Sequence, residues 1–284
     1  MDSIDEKRVY DGRGGATEAY VASSTGVCRV RISGDAVGEF GLLERCVARD
    51  VTTGRSTLAV ATDEDVLVAD SPVETGSQAD ARLEATGFGP AVAVGYDGEC
   101  LVAAAPDGRV ARRRTDEWTE LERRVSADVR AIDGDLLATA DGVARLQGDR
   151  LVHAGLETVS DVSAAGIPLA ATPDGLFKLG NGWMQAFGGA VDVVAADPRS
   201  APGSLARAHA AAGETLYEHD GGDWLECVVA EGPIAGIGYG ETVYAVTEDG
   251  SFLTASEDGW RTQAIGVVDV SGLAVSVTQQ FDRV

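Results

Sequence analysis

Seven short turns punctuate this chain at near-regular intervals, and that regularity leaves few folds open. Aligned on the residue that closes each turn, they are Gly26 in ASSTGVCRV, Asp65 in ATDEDVLV, Gly108 in AAPDGRVAR, Gly142 in TADGVARL, Gly175 in TPDGLFKL, Gly213 in AAAGETLY and Gly250 in TEDGSFL. Successive turns stand 39, 43, 34, 33, 38 and 37 residues apart. The segments between them are short apolar runs without the spacing of an amphipathic helix, which argues against helical repeats. The stretch 128–157, DVRAIDGDLLATADGVARLQGDRLVHAGLE, shows the grammar most plainly. Its Asp141-Gly142 turn separates the runs 136–139 and 143–146, a strong short-range signal for a tight antiparallel hairpin. Runs at 128–132 and 151–154 add a strand on each side, giving four strands in about 30 residues.

Four antiparallel strands repeated radially are the blades of a propeller, so the reading is an all-β, seven-bladed β-propeller. The blades fall at about 18–46, 47–86, 87–125, 126–157, 158–189, 190–232 and 233–267. Only three strands are visible in the first. The segment Val268-Asp269-Val270-Ser271-Gly272-Leu273-Ala274 repeats the Asp-Val opening of an innermost strand, yet no hairpin follows it. A ring of sheets must not leave an unpaired edge between its first and last units, so this C-terminal strand is expected to complete the first blade. Residues 1–284 then read as a single domain, with 1–16 an N-terminal tail or lead-in segment and 278–284 a loose C-terminal tail.

Tryptophan supplies a second register. Trp118, Trp183, Trp224 and Trp260, all that the chain has, fall 10, 8, 11 and 10 residues after their turn glycines, each near the start of a last-strand segment. An indole buries roughly 150–250 Å2, and wedging between blades is a sufficient reason for that placement.

Net charge is −23, with only Lys7 and Lys178 as lysines among 23 basic residues. A surface of carboxylates with arginine in place of lysine suits molar salt, where the Debye length shrinks to about 3 Å and like charges barely repel. The same surface repels phosphate backbones, which disfavours nucleic-acid binding. The clusters Arg112-Arg113-Arg114 and Arg123-Arg124 adjoin acidic residues and read as solvated, charge-balanced edges. Cys28, Cys46, Cys100 and Cys227 lack C-x-x-C spacing and nearby histidines, so core packing is expected rather than zinc. The start lacks an apolar signal region and no run approaches a membrane span, giving the expectation of a cytoplasmic protein without membrane attachment, and a monomer.

One constellation could carry chemistry. Asp50, Asp128, Asp161, Asp192 and Asp269 each open an innermost strand, which would ring one mouth of the central channel with carboxylates. Such a ring could hold a hard divalent cation, Ca2+ or Mg2+, through oxygen ligands. The alternative, favoured because a repeated position usually serves the repeat, is that each Asp caps backbone N–H groups in the turn between blades. Catalytic sets are not apparent: His153, His209 and His219 lie in different repeat contexts, Asn181 is the only asparagine, and no nucleophile elbow occurs. Residues 256–262, SEDGWRT, resemble the Asp-box turn of sialidase-type propellers, a structural motif that implies no glycosidase activity.

With the opening EKRVYDGR, the segment AYVASSTGVCRVRISGDAVGEF and the acidic seven-fold pattern, the chain resembles a β-propeller family of haloarchaea over essentially its full length. The resemblance implies a halophilic cytosolic propeller and assigns no site residues. Two functions stay open. One is a non-enzymatic platform binding a partner protein through the loops 70–80 and 197–204. The other is a hydrolase or ligand-binding propeller with a divalent cation at the aspartate mouth.

Overall fold

The computed structural model describes residues 17–70, 82–122 and 128–277. Residues 1–16, 71–81, 123–127 and 278–284 lie outside the described residues, and with them the expected lead-in, the expected loop 70–80 beyond Asp70, the Arg123-Arg124 cluster and the expected C-terminal tail.

Blade one holds β1 (Thr17–Ser23), β2 (Gly26–Ser33) and β3 (Ala36–Glu44), and blade two holds β4 (Ala48–Thr53), β5 (Thr57–Thr62), β6 (Val66–Asp70) and β7 (Glu84–Ala85). Blade three holds β8 (Ala93–Asp97), β9 (Cys100–Ala104), β10 (Val110–Arg114) and β11 (Glu117–Glu120). Blade four comprises β12 (Val129–Asp133), β13 (Leu136–Thr139), β14 (Gly142–Gln147) and β15 (Arg150–His153). Blade five comprises β16 (Asp161–Ser163), β17 (Leu169–Thr172), β18 (Gly175–Leu179) and β19 (Trp183–Gly188). Blade six has β20 (Val193–Ala196), β21 (Ala208–Ala212), β22 (Thr215–His219) and β23 (Trp224–Val229). Blade seven has β24 (Ile234–Tyr239), β25 (Val243–Thr247), β26 (Ser251–Ser256) and β27 (Gly259–Ala264), and β28 (Val270–Val277) follows. The strands form seven four-stranded sheets, and the first has the order β28-β1-β2-β3. The closing strand pairs antiparallel with β1, Tyr20 opposite Ala274 and Val21 opposite Leu273. The seven-bladed, strand-closed propeller expected from the turns is therefore the fold.

Each of the seven turn residues lies in or beside the turn between a blade's second and third strands. A feature missed in the sequence locks five of these turns. A Ser or Thr at the end of the second strand donates its hydroxyl across the turn, Ser23 to the carbonyl of Gly26, Thr62 to that of Asp65, Thr139 to that of Gly142 and Thr172 to that of Gly175, while Thr247 donates to the carboxylate of Asp249. All five side chains are buried, so each hydroxyl needs the partner it finds.

The core lies between the blades rather than within one. Tyr244 and Phe252 of blade seven pack with Val21 and Val30 of blade one, and blades five and six meet around Leu176, Val194 and Ala210 in the same way. Second strands are buried on both faces, which is why they read as runs of Ala, Val and Leu such as TLAVAT and LAAT. The four tryptophans stand half-buried on outer strands. Trp183 donates its Nε1 to the carbonyl of Ala154 in the preceding blade at 2.7 Å. Trp224 lies 5.6 Å from Phe187 and Trp118 lies 4.7 Å from Phe88. They are inter-blade wedges.

A backbone bond recurs at the blade junctions. The N–H two residues before the position paired with the turn alanine or valine reaches back to the preceding blade, from Ala91 to Thr62, Val159 to Thr139, Val191 to Thr172, Ile234 to Gly213 and Val270 to Glu248. The last of these bonds belongs to the closing strand, so blade one is seated on blade seven as its neighbours are seated on theirs.

Candidate functional site

The seven innermost strands face one another around a central cavity of about 470 Å3, lined in part by Asp50, Asp133, Asp161 and Asp192. Asp50 and Asp161 occupy the same register position, opposite Ala61 and Ala171, the alanines before the turn threonines. Each uses both carboxylate oxygens. One oxygen accepts the N–H of the next residue in the strand, Val51 or Val162, at 2.8 Å. The other reaches the innermost strand of the following blade, accepting from Val94 at 2.9 Å and Val194 at 2.8 Å. Two residues further along the strand, Asp133 accepts from Ala164 at 2.7 Å and Ser163 accepts from Ala196 at 3.1 Å, again in the following blade. At the closing seam Thr53 donates to the carbonyl of Val275 and Ser271 to that of Ala48. The hub wall is thus a set of side-chain clasps between neighbouring blades.

Burial against this wall raises Asp50 and Asp161 to about 7, even though the two N–H bonds to each carboxylate oppose the rise. Asp161 adds repulsion on Asp50, and Asp133 adds it on Asp161. Asp133 is also raised by burial, against the opposing hydrogen bonds from the Ala164 N–H and the Ser163 hydroxyl. The cause is desolvation of the ionised form among neighbouring carboxylates.

The other three predicted aspartates do not join this position. The residues opposite the equivalent alanines are Ala131, Val193 and Gly272. Asp128 and Asp269 therefore precede the clasp position by three residues, and Asp192 by one. All three are exposed. Asp192 caps its own blade by accepting from the N–H of Gly213, and Asp269 accepts from the hydroxyl of Ser24 while adopting a φ of 52°. The five carboxylates form no single ring: two clasp blades at the hub, two cap local turns, and Asp128 offers its backbone carbonyl to Ala140. No cluster of three or more candidate metal ligands occurs among the described residues.

The loop 197–204 rises where β20 leaves the hub, and Pro198 lines the cavity there. It is held rigidly. Arg199 returns to Asp197 through its backbone N–H and two guanidinium nitrogens at 2.8–2.9 Å, and Gly203 donates to Gly166 of blade five at 2.9 Å. Burial alone would raise Asp197, but Arg199 outweighs it and holds the carboxyl below its usual range. Residues 201–204 are exposed at the tip.

One expectation about charge is corrected. Arg112 is not on a solvated edge. It is 5 % exposed and donates to Asp97 at 2.7 Å within its blade and to Asp149 of blade four at 3.4 Å. Both partners are distant in sequence, so the adjacent acids could not reveal them. His209, in β21, is fully buried with Nδ1 2.7 Å from the Tyr239 hydroxyl. Its Nε2 has no hydrogen-bond partner and lies 3.7 Å from Glu218. Burial and the charge of Arg207 lower the imidazole to about 3, so it is neutral.

Seven radially ordered four-stranded sheets around a clasped hub define a β-propeller. More narrowly, the family model described as Beta-prop_HVO_0234:-like, beta propeller matches residues 3–276, and the chain belongs to that family. No curated protein matches it. Among solved structures, the WD40 β-propeller domain of Doa1 superposes with a TM-score of 0.62 at 14 % identity, over 79 % of this chain and 85 % of that one. A chain of the nidogen/laminin complex superposes with a TM-score of 0.58 at 8 % identity, over 93 % of this chain and 99 % of that one. These likenesses are of fold.

Proposed function

We infer that this propeller is a non-enzymatic interaction platform, working in the cytoplasm of a salt-accumulating haloarchaeal cell. The observation that carries the reading is the loop 197–204, which lengthens the connection from β20 (ending at Ala196) to β21 (starting at Ala208) and is braced by Arg199 and Gly203 while its tip stays open to solvent. A surface element ordered before it meets a partner loses little entropy on binding. Propellers commonly bind proteins through such loops, an analogy of fold. The hub aspartates support the same reading, because their oxygens are already engaged in holding blades together. No helix among the described residues is long and apolar enough to cross a membrane. A net charge of −23 supports a molar-salt setting.

The test is affinity capture at molar salt with the wild-type protein and with a variant whose 198–203 segment is replaced by a short glycine linker. One stoichiometric partner retained by the first and lost by the second is expected. Equal recovery, or none from either, counts against the platform. A thermal shift specific to Ca2+ or Mg2+, reversed by EDTA and abolished by Asp50→Ala with Asp161→Ala, would favour the cation-holding propeller instead.

A further inference from the structure

The chain's single asparagine stands directly before a glycine in an exposed turn. Residues 180–182, Gly-Asn-Gly, join β18 to β19, with Leu179 paired to Trp183 at the mouth of the turn. The corresponding turns of blades one, three, four and seven have two residues, so the blade-five turn has one residue of slack. All three residues are exposed, and a Cβ placed on Gly182 would meet nothing within 4 Å. The Gly180 N–H donates to the Gly182 carbonyl at 2.9 Å, which folds the turn around Asn181. Among the described residues the Asn181 side chain makes no hydrogen bond. One residue beyond the turn stands Trp183, whose Nε1 donates to the carbonyl of Ala154 at 2.7 Å across the seam between blades four and five. That seam is tight, since a Cβ on Gly155 would sit 3.0 Å from the Trp183 ring.

We propose that Asn181-Gly182 is a self-modification site, where the chain's own backbone converts the side-chain amide to a carboxylate with water and hydroxide as the only co-reactants. The Gly182 nitrogen gives its proton to hydroxide and attacks Cγ of Asn181. As the N–Cγ bond forms, the Cγ–Nδ2 bond breaks, and Nδ2 leaves as ammonia after taking a proton from water, which restores the hydroxide. Water then opens the five-membered imide. Cleavage of its N–Cγ bond gives aspartate at 181, and cleavage of its bond to the backbone carbonyl carbon gives isoaspartate, whose main chain is one methylene longer. Glycine on both sides favours ring closure, because the attacking nitrogen has no neighbouring Cβ to crowd it and the flanking dihedrals are free. An exposed amide without hydrogen bonds gives up no native contact when it reacts. The longer main chain of isoaspartate, in a turn that ends at Trp183, unseats the indole from blade four, so the modified chain has a looser seam and one more negative charge.

The test holds the full chain at about 1 M salt, folded and in urea, at about pH 8 and about pH 5, with peptide mapping by mass spectrometry at intervals. Progressive conversion at Asn181 is expected in the folded chain, faster at the higher pH, with isoaspartate revealed by enzymatic methylation of its free α-carboxyl. Gly182→Ala should slow conversion by about tenfold or more. Asn181→Gln, which would have to close a six-membered ring, should stay unmodified over the same period and melt like the wild type. In the isoaspartate pool, hydrogen exchange should quicken at 152–156 and 183–188. Freshly prepared Asn181→Asp, with the added charge on an unaltered main chain, should exchange like the wild type. An Asn181 that persists in the folded chain while converting in urea, a rate indifferent to pH or to Gly182→Ala, or exchange unchanged in the isoaspartate pool would overturn the proposal.

Discussion

Asp161 is caught between opposing effects: two backbone N–H groups favour its carboxylate, and the low-dielectric wall and Asp133 disfavour it more. Its folded value of about 7 lies above the ordinary 3.8. The protonated form therefore contributes stability that is fully present below pH 4 and is lost as pH rises through 7. The upper bound is about 4 kcal/mol, reduced by channel water at this partly open site. His209 acts in the opposite sense. Held near 3 when folded, it adds stability above its ordinary 6.5 that fades as pH falls toward 3. Comparing wild type with Asp161→Asn isolates the carboxylate, since Asn mimics the protonated acid. Melting temperatures at molar salt should coincide below pH 4, and the wild type should lose ground to the variant from there up to pH 8. Parallel curves would show that Asp161 does not titrate in this window.

At the scale of the strand, β24 is built to lie close to its neighbour. A Cβ on Gly236 would sit 2.7 Å from the Cβ of Leu273 and 3.0 Å from its backbone nitrogen, and one on Gly238 would sit 2.5 Å from Val275. These glycines permit the approach of blade seven to the closing strand, so Gly236→Ala should destabilise by about 1–3 kcal/mol through overpacking. Gly41→Ala on the open face of β3, with nothing within 4 Å, should change stability by no more than about 0.5 kcal/mol. Urea unfolding at molar salt measures both, and equal effects would refute the tight seam. The sequence revealed blades and closure because glycine and aspartate at turns are local signals, and Val268 to Ala274 repeats a local phrase. It did not reveal that Asp128 and Asp269 stand three residues out of register with Asp161. That offset depends on how each linker reaches the hub, which only the pairing of Gly272 with Ala22 or Ala131 with Ala138 discloses. The burial of Arg112 and His209 was equally hidden, because their surroundings come from other strands and other blades.

Across the whole molecule the dominant fact is a net charge of −23 carried on a ring held by short clasps and small side chains. Self-repulsion acts over about 10 Å at 0.1 M salt and about 3 Å at 1 M. The melting temperature should therefore climb with NaCl up to molar concentrations, and a flat response would contradict adaptation to salt. The pairing of β1 with β28 also fixes an order of events. Tyr20 leaves the ribosome some 250 residues before its partner Ala274. The earliest sheet synthesised is consequently the last to be finished, and until the final strand arrives its inner border stays bare, a long-range contact that should set the pace of maturation.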